Sequence, residues 1–146
     1  MLRTSRFNLA AAITLLLTAG SAAPGLASDL IVLQVDTSAS SVECETAAVN
    51  GTVSVTVENV GGTPTGAGFS VLLFEDANAN GVYDNGVDLY LGEATVPGSL
   101  NPGDQATVNP SVNATLQFAK NLIYAFADSQ NEIAESDETN NVGDSG

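Results

Sequence analysis

The densest set of chemically useful side chains in this sequence lies between Asp76 and Asp88. Read as a loop, Asp76-Ala77-Asn78-Ala79-Asn80-Gly81-Val82-Tyr83-Asp84-Asn85-Gly86-Val87-Asp88 puts side-chain oxygens at loop positions 1, 3, 5 and 9 and glycine at position 6. Alternate residues of a tightly curled loop turn their oxygens inward, and glycine closes the curl through the left-handed conformation. Position 7 of such a loop offers a backbone carbonyl, here that of Val82, so the spacing follows the first half of an EF-hand calcium loop. At position 12, where a bidentate glutamate belongs, stands Val87; Asp88 follows directly as the substitute, with Glu75 and Glu93 in reserve. Oxygen ligands without nitrogen or sulfur select a hard cation, and Ca²⁺ over Mg²⁺, which gives up its water shell reluctantly. The expected site is therefore Ca²⁺ held by Asp76, Asn78, Asn80, Val82, Asp84 and Asp88. The competing reading is a solvated hairpin loop, because Asn, Asp and Gly are ordinary turn formers.

Composition removes most other chemistry. The chain contains no histidine, hence neither the commonest general base nor the commonest zinc ligand, and no Ser-His or Cys-His nucleophile pair. Its formal net charge is −14. Arg3 and Arg6 sit near the N-terminus, which leaves Lys120 alone against 17 carboxylates, and a phosphate backbone is not a partner for such a surface. No tryptophan and few aromatics argue against a platform for stacking bases. Paired carboxylates could hydrolyse a glycoside, with Asp76 or Glu135 as candidates, but no aromatic-lined cleft is signalled and no enzyme is expected. Cys44 is the single cysteine, so no internal disulfide forms. It is expected to be a small, semi-buried residue, the alternative being an intermolecular disulfide or reactive thiol, for which Glu43 and Glu45 are the wrong neighbours.

The elements that would position the loop are strands. Residues 1–27 carry Arg3 and Arg6, an apolar run from Leu9 to Leu17 and a small-residue end at Gly25-Leu26-Ala27, the three parts of a secretory signal peptide cleaved after Ala27. The run is too short to span a membrane, so a secreted or surface-associated product with no membrane insertion is expected. The remainder is one domain, residues 28–142, with a tail at 143–146. Asp29 to Val35 suits an opening strand, and residues 36–50 read as a long connection. Val53, Val55 and Val57 then alternate with polar residues, the pattern of a strand buried on one face. Phe69 to Phe74 is apolar at nearly every position, as a central strand covered on both faces would be. A short strand over 88–92, another over 105–112 with Pro110 at an edge or bulge, and a well-buried one over 121–127 complete the set. Short strands separated by Gly, Pro and Asn turns, with no helical period, predict an all-β sandwich.

Several segments carry a family resemblance. Asp29-Leu30 opens the domain, Val55-Thr56-Val57-Glu58-Asn59-Val60-Gly61 follows, Leu100-Asn101-Pro102-Gly103 precedes the fifth strand, and Asp128 to Asn141 closes it. The closing stretch is similar to the ending D-x-x-N-x-I-x-E-x-x-E-x-N-N of the cell-adhesion-related domain found in bacteria (CARDB), and the resemblance runs from about Asp29 to Asn141. It implies a seven-stranded immunoglobulin-like β-sandwich on a secreted or surface protein, a spacer or interaction module and not an enzyme, and a calcium-type insert like 76–88 occurs in such domains. A last strand normally follows the paired asparagines; here Val142-Gly143-Asp144-Ser145-Gly146 is short and polar. Either this tail pairs, or the strand is truncated, or a protein partner adds a strand at an apolar edge over residues 121–127. Within the ending, Glu135, Asp137 and Glu138 could form a second cation site with Asp128 and Asn131; otherwise they are a solvated loop in which Asn140 and Asn141 bond local backbone.

The functional expectation is a secreted, calcium-stabilised, non-enzymatic interaction, adhesion or spacer module. The alternative is an acidic structural protein of saline surroundings, whose carboxylates hold hydration and which has no specific partner.

Overall fold

The computed structural model describes residues 27–117 and 122–146. The expected signal peptide, but for Ala27, lies outside the described residues, as does Asn121, the start of the expected strand over 121–127. Ten strands follow in chain order: β1 Leu30–Asp36, β2 Ser40–Glu43, β3 Ala48–Thr52, β4 Ser54–Asn59, β5 Phe69–Glu75, β6 Leu89–Val96, β7 Gln105–Val108, β8 Ser111–Thr115, β9 Tyr124–Ala127 and β10 Val142–Asp144. They pair in the orders β1-β4-β7, β2-β3-β8 and β10-β9-β5-β6. The first two sheets are halves of one layer. The Val53 amide donates to the Pro110 carbonyl at 3.1 Å and the Thr52 amide to the Ala39 carbonyl at 3.2 Å, so three long strands run across a crease at residues 37–39, 53 and 109–110. Counted through the crease, the ten segments are the seven strands of an immunoglobulin-like sandwich.

Side-chain alternation explains the layers. In β4, Val55, Val57 and Asn59 are buried between half-buried Ser54, Thr56 and Glu58. Val55 and Val57 meet Phe69, Val71 and Leu73 of β5 and Ala125 and Ala127 of β9 in one core, where each buried valine or leucine contributes about 1.5–3 kcal/mol. Every residue of β5 is buried, as its nearly continuous apolar run predicts, because β6 and β9 flank it and its outer face is covered too. There Phe74 lies between Tyr83 and Tyr124, with ring centroids 5.3 Å apart in both pairs.

Three expectations are corrected. The connection over 36–50 contains β2 and most of β3: β2 is largely exposed and Ser-rich, so it shows no apolar alternation and is held by pairing Ser40–Glu43 with Ala48–Gly51. The strand expected at 88–92 runs on to Val96 as β6; a register shift between Leu73 and Phe74 makes neighbours Leu91 and Gly92 both buried and hides the two-residue period. The edge over 121–127 is not open for strand addition, because β10 pairs with β9, Val142 opposite Phe126 and Asp144 opposite Tyr124. That pairing needs Gly143. A Cβ there would stand 2.8 Å from Val32 Cγ1, so glycine lets the short last strand close against β1.

Candidate metal centre

The loop from Asp76 to Asp88 joins β5 to β6. Asn78 and Asn80 build its curl: each side-chain oxygen accepts the amide two residues on, Asn80 N at 3.2 Å and Val82 N at 2.8 Å, the Asx-turn geometry these residues favour. Ala79 (φ 57°) and Gly81 (φ 77°) take the left-handed conformation between them. The ends are fixed by carboxylates. Asp76 accepts the amides of Asn80 at 3.3 Å and Gly81 at 2.7 Å, and Asp88 accepts those of Ala77 at 2.9 Å and Asp84 at 2.6 Å. Both are buried. Asp84 takes the side-chain amides of Asn78 and Asn80 on one oxygen, at 2.9 and 2.7 Å, and these donors hold its carboxyl below the usual aspartate range.

Of the expected ligands, Asp76, Asn78, Asn80, Asp84 and Asp88 are thus joined in one hydrogen-bonded loop, while Val82 takes part through its amide and has an exposed side chain. The two reserves are engaged elsewhere: Glu75 accepts the Gln117 amide at 2.7 Å, and Glu93 the Gln130 side-chain amide at 2.8 Å.

A second acidic centre forms in the closing segment between β9 and β10. Among the described residues, Asp128, Glu135 and Glu138 bring one carboxylate oxygen each within 4.8 Å of one another. Asp128, at φ 52°, accepts the amides of Glu132 at 2.7 Å and Ile133 at 2.9 Å. Glu135 accepts the Leu30 amide on one oxygen and the Asn141 side-chain amide, at 2.6 Å, on the other. Burial pushes the Glu135 carboxyl up to about 7; these two donors oppose the rise, and the charges of Glu138 and Asp128 add to it. Asp128 is also raised, again chiefly by burial.

Two residues of the proposed second set stand outside the triplet. Asp137 is exposed and accepts the Thr139 amide and hydroxyl, and Asn131 forms the turn whose amide donates to the Asp128 carbonyl. The paired asparagines do not bond local backbone through their side chains: the Asn140 amide reaches Asp29 at 2.8 Å and that of Asn141 reaches Glu135. The Asn140 contact is long-range, to the residue before β1, while that of Asn141 stays within the closing segment; spacing does not fix where either side chain turns. Cys44, expected semi-buried, is exposed on the turn after β2.

The two centres are neighbours. The β5–β6 loop folds back over the outer face of its sheet, and Gly81, Val82 and Tyr83 meet Phe126, Glu138, Thr139, Asn141 and Val142 around a cavity of about 180 Å³.

Comparison with known proteins agrees with this architecture. The family model for CARDB matches residues 27–145. Among solved structures, the CARDB domain of the Pyrococcus furiosus protein PF1109, in complex with di-metal ions, is 22% identical, with a TM-score of 0.52 over 82% of this chain and 90% of that one. A domain of a Methanosarcina acetivorans protein named for the cell surface is 22% identical, with a TM-score of 0.51 over 81% and 88%. No curated protein matches.

Proposed function

The chain belongs to the CARDB family, and from that premise we propose that it is an exported, non-catalytic module that makes protein contacts at the cell surface while Ca²⁺ orders its β5–β6 loop. The observation that carries this reading is the loop itself: Asp76 and Asp88, buried at its two ends, with Asp84 and two asparagine side chains between them. The donor set fits a hard cation, being oxygen throughout. The Asn78 and Asn80 oxygens already accept the loop amides, and each has a second lone pair for the ion once its nitrogen leaves Asp84. Once bound, the ion offsets two of the three negative charges that otherwise repel. The surface role is supported by the family and by the Methanosarcina relative's name, and the ion by the di-metal complex of the Pyrococcus relative. The absence of histidine from the whole chain agrees with a role in contact and not in turnover.

The test is a set of melting curves in calcium, magnesium and sodium chloride. For a site of ordinary extracellular strength, Kd ~10⁻⁴ M, calcium at about 1 mM stabilises the fold by about 1.4 kcal/mol, a rise in Tm of roughly 5 °C. A midpoint that responds only to molar salt would replace this reading with that of an acidic protein adapted to saline surroundings.

A further inference from the structure

We propose that Asp128, Glu135, Glu138 and the side-chain oxygen of Asn141 form a second divalent-cation site, one that clasps the start of β1 to the closing segment. Three carboxylates converge there, but convergence alone is common on an acidic protein. The second observation is Asn141. The residue is 2% exposed, its side-chain nitrogen donates to Glu135 at 2.6 Å, and its side-chain oxygen has no hydrogen-bond partner. A buried carbonyl oxygen left unspent costs free energy, and this one belongs to an amide already lying against the carboxylate cluster. A hard cation uses that oxygen and the three carboxylates together; a water molecule could satisfy the oxygen but not the charge.

Glu135 gives the site its structural consequence. Both of its oxygens accept hydrogen bonds, while Asp128 and Glu138 stand close enough to oppose a charge on it. A cation removes the opposition and keeps Glu135 on the Leu30 amide. The same stretch is joined to the segment just before β1 by the Ser136 amide on the Ser28 carbonyl at 2.9 Å and by the Ser28 hydroxyl on the Ala134 carbonyl at 3.0 Å. Binding therefore secures the entry to the first strand. It involves none of the β5–β6 loop ligands and stands or falls apart from them.

The experiment is amide hydrogen exchange at Leu30, with calcium chloride as the only added ligand, on the wild-type chain, Glu138→Gln and Asp88→Ala. Glu138 is exposed and glutamine keeps an acceptor for the Glu135 amide, so this variant folds. The expected result is slowing of Leu30 exchange by tenfold or more at millimolar calcium in the wild type and in Asp88→Ala, and its loss in Glu138→Gln. Leu30 exchange indifferent to calcium in the wild type, or slowing retained in Glu138→Gln, would overturn the clasp. Failure of the loop site alone would instead leave Leu30 calcium-sensitive while Asp88→Ala changed nothing in calcium binding.

Discussion

Replacing Asp88 with alanine separates two roles that its carboxylate combines. In the absence of calcium it accepts the Ala77 amide at 2.9 Å and the Asp84 amide at 2.6 Å, one from each side of the loop. Hydrogen bonds to a charged acceptor are worth about 1.5–3 kcal/mol each. Both amides lie on half-buried residues that water partly reaches, so the lower end applies and the pair amounts to about 3 kcal/mol. With calcium at about 1 mM the wild type gains a further ~1.4 kcal/mol that the variant cannot gain. Urea denaturation monitored by circular dichroism, in chelator and in calcium, should therefore give a wild-type advantage of about 3 kcal/mol that widens to about 4.4 kcal/mol. An advantage of the same size in both conditions would show that Asp88 is an amide acceptor only, and the calcium reading of the loop would be lost.

Three further outcomes follow from the geometry. In chelator, stability should fall as pH rises from about 4.5 to about 7, because the folded protein holds a proton on Glu135 that the unfolded chain has released; discounted for partial exposure the fall is about 1–2 kcal/mol. Chemical denaturation at intervals across that range should show the fall in the wild type and a clearly smaller one in Glu135→Gln, where, of the two raised carboxyls, Asp128 alone remains. Asn59→Ala should cost about 4 kcal/mol in a urea titration, since this fully buried side chain donates to the Thr63 and Leu100 carbonyls and accepts the Asp29 and Gly61 amides, each bond being worth about 1 kcal/mol. Gly143→Val should drive β10 off Val32, cost about 1–3 kcal/mol and uncover the edge of β9. Light scattering should then report concentration-dependent association absent from the wild type.

The sandwich was legible where burial imposes a period. Val53, Val55 and Val57 alternate because one face of β4 is wet, and the nearly continuous run in β5 marks a strand covered on both sides. Legibility failed where backbone pairing alone makes a strand, as in Ser-rich β2, and where the bulge at Leu91 and Gly92 shifts the period. The brevity of β10 concealed its pairing, which rests on a close approach to Val32 that only glycine permits. For the acidic loop, spacing identified residues that fold into one hydrogen-bonded unit, since Asx-turn chemistry is local. In the closing segment it supplied the right acids with the wrong company: Asp137 turns to Thr139, and Asn141 takes its place beside Glu135. Both contacts are local in sequence, but which side chain turns toward Glu135 follows from how that residue is buried against Leu30, which spacing does not encode.

The central claim is that divalent cations held by oxygen are part of this fold, and equilibrium dialysis against radioactive calcium measures it most directly. At about 1 mM calcium, with a Kd of ~10⁻⁴ M, the wild type should retain close to two ions per chain, and Asp88→Ala and Glu138→Gln close to one each. Retention in the wild type no greater than in the double variant Asp88→Ala, Glu138→Gln would contradict the account.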